Sequence, residues 1–231
     1  MPVYVRYIDL NGCKNSYSIP EKPNGFAIFV LFDLSMLTER ESQQLTNHLV
    51  EQGYTVFSSS LLQAHWGSPN AVNHAKQLVQ LFLKQETVNK RIFLLSEGSG
   101  GLIAKRLMED DEIDIRAASF IKPFFTLESC YKERQLNDLA KKRMEKEVKQ
   151  AFQLEGKVDL KQLIQLDQSS KRKKKAPVPP MRVFRQLKDG FANVSHLSST
   201  QFVDYYFLTE TSLKNELSDQ LSFYYQQFHM D

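Results

Sequence analysis

The strongest chemical signal in the chain is Leu94-Leu95-Ser96-Glu97-Gly98-Ser99-Gly100-Gly101-Leu102-Ile103-Ala104, which holds two hydroxyls and three glycines. A serine hydroxyl becomes a nucleophile when a neighbouring base takes its proton and a third group orients that base. Ser96 and Ser99 are the hydroxyls in question. The base candidate is His196, the histidine between this stretch and the last strand-like run; His65, beside Trp66-Gly67, sits after a strand and could line the same crevice. His196 reads either as a base at the carboxyl edge of a sheet or as an exposed loop residue of Asn193-Val194-Ser195-His196. Gly98, Ser99, Gly100 and Gly101 offer a second chemistry. The first backbone N–H groups of a helix are free and its dipole favours negative charge, so these residues could bind an anion. No Gly-Lys-Ser/Thr follows, so this is not a phosphate-binding P-loop. No set of histidines, cysteines or acids has metal-ligand spacing, and no cofactor is expected.

These residues need elements to position them. Arg91 to Leu95 is a short apolar run that reads as a buried strand. The glycines allow a sharp turn and close backbone packing. Leu102, Ile103, Leu107 and Met108 then recur at helical spacing. Upstream, Val3 to Ile8 and a second extended run to Ile19 flank Asn11-Gly12, a hairpin signal. Phe26 to Phe32 is apolar throughout, which suits a strand covered on both faces. Thr38-Glu39-Arg40-Glu41 predicts a capping box opening a helix through Gln52. Tyr54 to Phe57 is the next strand, and Ser68-Pro69 starts a further helix. Its apolar stripe is Val72, Ala75, Leu78, Val79 and Phe82. In this pattern His48 is structural and His74 lies on a helix surface. Ile115 to Ile121 is another strand. The order predicts an α/β fold, a mostly parallel central sheet with helices on both faces.

At the central stretch the chain resembles the α/β-hydrolase family. Its nucleophile elbow runs small-x-nucleophile-x-small-small between a central strand and the helix that follows. With the two final small positions on Gly100 and Gly101, the first small position falls on Ser96 and the nucleophile position on Gly98. The scaffold of the elbow is present without its hydroxyl. A turn shifted by one residue would put Ser99 at the apex. Otherwise Ser99 is a helix N-terminal residue bonding local backbone. Ser96 is the other fallback nucleophile. The resemblance also implies a chain order of nucleophile, acid, histidine. With Met181 to Leu187 as the seventh strand and Phe202 to Leu208 as the eighth, the acid maps near Asp189. No imidazole then follows Leu208. The alternative mapping makes Phe202 to Leu208 the seventh strand, puts the acid near Glu210 and leaves His229 at the end of a helix. Where the family has a His-Gly type loop donating to the oxyanion, this chain has Phe32-Asp33-Leu34-Ser35. Asp33 places a carboxylate near developing negative charge, unfavourable unless it is turned away or neutralised.

The fold-level resemblance covers residues 1 to about 125. Residues 126–180 read as a helical, basic insertion, which the resemblance implies to be a lid or cap. Leu136, Leu139, Met144, Val148 and Phe152 share one face of a long helix there, opposite Lys132, Arg134, Lys141, Lys142, Arg143, Lys146 and Lys149. Asp159 caps a second short helix. Lys171 to Lys175 sits in a linker, either solvated or touching nucleic acid, an anionic membrane surface or an acidic partner. Residues 181–231 return to the core, with a closing helix from Ser212 onward.

At 231 residues the chain suffices for one α/β domain with a full core. Its net charge of +3 is small, and few aromatics interleave the basic run, so nucleic acid is not the expected partner. Cys13 and Cys130 fit neither a disulfide framework nor a metal motif, which makes a cytoplasmic setting the default. The start lacks a signal peptide's pattern, and no apolar run approaches membrane-spanning length. Together these features predict a hydrolase-like protein that is noncatalytic or impaired and binds a small molecule or a protein partner. The runner-up is a serine hydrolase of the esterase or thioesterase type using Ser99 or Ser96. A third class is an electrostatic binding module using Lys171 to Lys175.

Overall fold

The computed structural model describes residues 4–10, 13–33, 37–59, 64–133, 138–169, 178–186, 203–209 and 216–230. Eight strands form one sheet: β1 Tyr4–Leu10, β2 Cys13–Ile19, β3 Ala27–Leu31, β4 Thr55–Ser59, β5 Ile92–Glu97, β6 Ile115–Ile121, β7 Met181–Gln186 and β8 Val203–Leu208. Their order across the sheet is β1-β2-β4-β3-β5-β6-β7-β8. β1 and β2 form an antiparallel hairpin, and β2 runs antiparallel to β4. From β4 to β8 all pairings are parallel. The helices are α1 Glu39–Glu51, α2 Pro69–Gln85, α3 Gly100–Met108, α4 Leu127–Glu133, α5 Asp138–Ala151, α6 Leu160–Ser169 and α7 Leu217–Gln226.

The central strands β3, β5 and β6 are buried at every position because both faces are covered. Ala27, Phe29 and Leu31 of β3 join Ile92 and Leu94 of β5 on one face, packed under α2 and α3. Ile28 and Val30 join Phe93 and Leu95 on the other, under α1 and α7. This is the two-residue alternation of a strand, with a core on each side. Helix α1 starts where its capping box predicts: the Thr38 side chain accepts the Glu41 N–H, and the Glu41 carboxylate accepts the Thr38 N–H. Ser68 caps α2, with Pro69 in its first turn.

α3 packs close to the sheet because glycine opens it. A Cβ on Gly100 would lie 2.2 Å from the Leu31 carbonyl oxygen, and one on Gly101 2.7 Å from that of Phe124. No side chain fits at either position. The late strands follow the first mapping, with β7 beside β6 and β8 beside β7.

Between β6 and β7, α4 to α6 build a cluster of their own from Leu127, Cys130, Tyr131, Met144, Val148, Val158 and Leu163. Trp66 and Leu102 from the α/β layers complete it. Asp167 of α6 accepts the Leu127 and Glu128 N–H groups and so ties α6 to the start of α4. Asp159 caps α6 through the Gln162 N–H, as predicted. Two sequence expectations are corrected. Leu139 does not share the buried face: it is 80% exposed, because five residues of helix separate it from Met144 by about 140° around the axis. His74 is buried in α2, not on its surface, and neither ring nitrogen has a hydrogen-bond partner among the described residues. Leu136, Asp189, His196, Glu210 and the run Lys171 to Lys175 lie outside the described residues.

Candidate active site

Three consecutive parallel strands, β4, β3 and β5, end on the same side of the sheet. In open α/β sheets this carboxyl edge is where ligands bind. His65 follows β4, Asp33 follows β3, and Ser99 follows β5. The fold brings all three together.

The turn after β5 has its positive-φ residue at Gly98, with φ +55°. Gly98 N–H donates to the Ile121 carbonyl, and its own carbonyl accepts from Phe124 and Gly101. The left-handed apex therefore coincides with the position to which the elbow pattern assigns the nucleophile. Ser99 comes next, in right-handed helical geometry at the start of α3. It does not bond local backbone through its side chain, against one of the sequence readings. Its Oγ lies 3.3 Å from His65 Nε2. Ser96 lies on β5 with its side chain fully buried on the face of Ile92 and Leu94, and its Oγ has no hydrogen-bond partner among the described residues.

The Ser99–His65 pair has the spacing of a nucleophile and its base, but its protons are arranged the other way. Gly67 N–H donates to His65 Nδ1 at 3.1 Å. A neutral imidazole has one donor and one acceptor nitrogen. Nδ1 is thus the acceptor, the proton is on Nε2, and Nε2–H donates to Ser99 Oγ. A base for Ser99 needs the opposite tautomer, with Nε2 accepting. Burial pushes the His65 pKa down to about 4, against the opposing pull of Asp33, so the ring is neutral near pH 7. The loop holding it is strained: Ala64 has φ +55°, Trp66 +41° and Gly67 +64°. Non-glycine residues seldom take this conformation, and such strain gathers at functional sites. Trp66 Nε1–H donates to Glu147 Oε2 of α5 at 3.1 Å, so the loop is held from above by the helical insertion.

Asp33 settles the electrostatics. Its Oδ2 accepts the Ser99 backbone N–H at 2.5 Å. In the elbow arrangement the N–H of the residue after the nucleophile is an oxyanion donor. Here that donor, at the positive end of α3, already holds a carboxylate of the chain itself. Glu97, one residue before the apex, is fully buried and accepts the Leu37 N–H at 2.8 Å.

His229 is far from this edge. It stacks on Phe26 and bonds Tyr54 Oη at 2.8 Å, where β3 and β4 begin rather than end. His48 on α1 lies 3.1 Å from Ser222 Oγ of α7, a packing contact. Among the described residues no group of three or more histidines, cysteines or acids could hold a metal ion. No described helix is long and apolar enough to cross a membrane. His65 was visible in the sequence only as a residue after a strand. Its partner on Ser99 could not be read there, because the two are joined only by the sheet.

No protein-family model matches the chain, and no curated protein matches it in sequence. Solved structures do match in shape. The chain is similar to FphF, a fluorophosphonate-binding serine hydrolase of Staphylococcus aureus, at 10% identity and a TM-score of 0.63, over 99% of this chain and 98% of that one. It is similar to Est1E of Butyrivibrio proteoclasticus at 13% identity and a TM-score of 0.62, over 98% and 97%. The Francisella virulence factor BioJ matches at 16% identity and a TM-score of 0.64, over 98% and 84%. At such identities the shared property is the fold: this is an α/β-hydrolase-fold protein. The likeness extends over the whole chain, beyond the first 125 residues in which the sequence resemblance was legible.

Proposed function

We propose that this protein does not carry out serine-hydrolase turnover and that it binds a small ligand or a protein partner at the carboxyl edge of β3 to β5. Gly98, Ser99, Gly100 and Asp33 form the floor of that site. The helices α4 to α6 act as its cap, in the wider insertion 126–180. The single observation that carries this reading is the Asp33 carboxylate on the Ser99 N–H. An acyl-transfer site leaves that donor open for developing negative charge. A resident anion removes the stabilisation and repels the charge. The missing hydroxyl at Gly98 and the Nε2–H tautomer of His65 support the same conclusion.

A second reading, a serine hydrolase of esterase or thioesterase type, is favoured by one observation, the 3.3 Å approach of Ser99 Oγ to a neutral His65. It requires the His65 proton to move to Nδ1, against the Gly67 N–H, and Asp33 to leave. The test is labelling with a fluorophosphonate probe and mass mapping of the modified peptide. The expected result is a folded protein with no adduct. Stoichiometric adduct on Ser99 or Ser96 establishes the second reading instead. A thermal-shift screen of small molecules on the unlabelled protein then seeks the ligand. The two cysteines are free and buried, which suits the cytoplasmic setting included in this reading.

A further inference from the structure

The sheet has an edge at β1 with little to blunt it beyond two charges, Arg6 and the exposed Asp9. Natural edge strands are protected by proline, lysine, bulges or a covering element, because an open row of backbone N–H and C=O groups is a template for another strand. Between Tyr4 and Leu10 there is no proline and no lysine, and the pairing with β2 runs for seven residues without a shift in register. The one cation, Arg6, is held within the molecule: its Nη1 donates to Glu86 Oε1 at 2.9 Å and to Tyr17 Oη at 3.3 Å. Large side chains stand out instead, Tyr4 at 63% exposure, Val5 at 45% and Tyr7 at 79%.

The register fixes which backbone groups face outward. Leu10 pairs with Cys13 across a two-residue connection. The pair flanking such a connection exchanges both hydrogen bonds, and the pattern then alternates. Leu10, Ile8, Arg6 and Tyr4 therefore direct their backbones at β2, and Val5 and Tyr7 direct theirs outward. The geometry points to β1 as a dimerisation edge, in which two copies of this chain join antiparallel strands about a two-fold axis at Tyr7. That register sets Tyr7 opposite Tyr7, Val5 opposite Asp9 and Arg6 opposite Ile8. No like charges meet, aromatic faces aromatic, and the outward groups of each copy find partners in the other. An isologous contact of this kind closes on itself and does not propagate. The edge is short, below the roughly 1,200 Å² of a standard interface, so the dimer is weak and follows concentration.

The test is sedimentation velocity on the full chain from about 1 to about 200 µM, a range suited to a contact of this size. A monomer–dimer equilibrium is expected, shifted to monomer by Tyr7→Pro with the circular-dichroism spectrum unchanged. A second variant works even if Tyr7→Pro misfolds. Tyr7→Cys places two thiols on residues about 5.5 Å apart, within the roughly 4.4–6.8 Å that a disulfide spans, and should cross-link under mild oxidation while Arg6→Cys does not. A chain that stays monomeric throughout, or cross-links equally well from position 6, overturns the proposal.

Discussion

Asp33 Oδ2 accepts the Ser99 backbone N–H at 2.5 Å, so the strand beside the elbow supplies the anion that the elbow helix would otherwise offer to a ligand. The contact joins the end of β3 to the first turn of α3, across 66 residues of sequence. It stabilises the fold, because a charged acceptor at a helix N-terminus is among the stronger hydrogen bonds. It also closes the position to outside negative charge.

Replacing this carboxylate separates the two effects. Asp33→Ala is expected to cost about 1.5–3 kcal/mol, the range for a hydrogen bond to a charged group. Sulfate should then raise the melting temperature of the variant more than that of the parent, since the vacated helix N-terminus takes an anion. Thermal denaturation with and without sulfate measures both. Equal sulfate shifts would show that the N–H is not opened by losing Asp33.

Ser99→Ala removes the acceptor of the buried His65 Nε2–H. A loss of about 1–3 kcal/mol is expected for leaving that donor unsatisfied. Fluorophosphonate labelling should be at background in both parent and variant. Labelling of the parent that vanishes in Ser99→Ala makes Ser99 a nucleophile.

Acid should destabilise the protein through its buried histidines. Burial lowers the pKa of His65 from 6.5 to about 4, and lowers that of His74. Above pH 6.5 these rings are neutral in both folded and unfolded chains, and their contribution to stability is flat. As pH falls from about 6.5 towards 4 the unfolded chain takes up protons that the folded chain refuses, and stability declines. Over the full window His65 alone accounts for about 3 kcal/mol. Urea melts at pH 7, 6, 5 and 4 should show the decline. A His65→Asn variant should show a shallower slope. Unchanged slopes in parent and variant would remove His65 as the cause.

Trp66 is the sole tryptophan of the chain, so its fluorescence reports the loop that holds His65. Glu147→Gln keeps the size of the acceptor but weakens the bond from Trp66 Nε1–H, and it frees Arg143, which Glu147 also binds at 2.7 Å. A red-shifted emission and stronger acrylamide quenching are expected, with a stability loss of about 1 kcal/mol. Emission identical to the parent would mean that α5 does not hold this loop.

Glycine substitutions distinguish packing from backbone conformation. Gly100→Ala drives a methyl into the Leu31 carbonyl at 2.2 Å and should prevent folding or cost more than about 3 kcal/mol. Gly25→Ala meets nothing within 4 Å and carries only the strain of φ +84°, about 1–2 kcal/mol. Chemical denaturation of both gives the difference.

The layers are legible in residue order. Continuous apolar runs at β3 and β5, the caps at Thr38 and Ser68, and helical stripes such as Val72, Ala75 and Leu78 are local patterns, readable because each element must bury one side. Residue order also placed the elbow glycines, since a Cβ there has nowhere to go, and it showed that the apex position lacks a hydroxyl. Leu139 misled because its five-residue spacing from Met144 turns it about 140° away from the buried face. The site, by contrast, arises from strand pairing. Asp33, His65 and Ser99 follow different strands, the first two 32 positions apart and the last pair 34. Parallel pairing of β4, β3 and β5 brings them together. Which nitrogen of His65 carries the proton rests on one N–H, from Gly67, held by a strained turn. A hydrogen bond of that kind has no signature in residue order, because it depends on angles that the packed sheet and the helices above it impose.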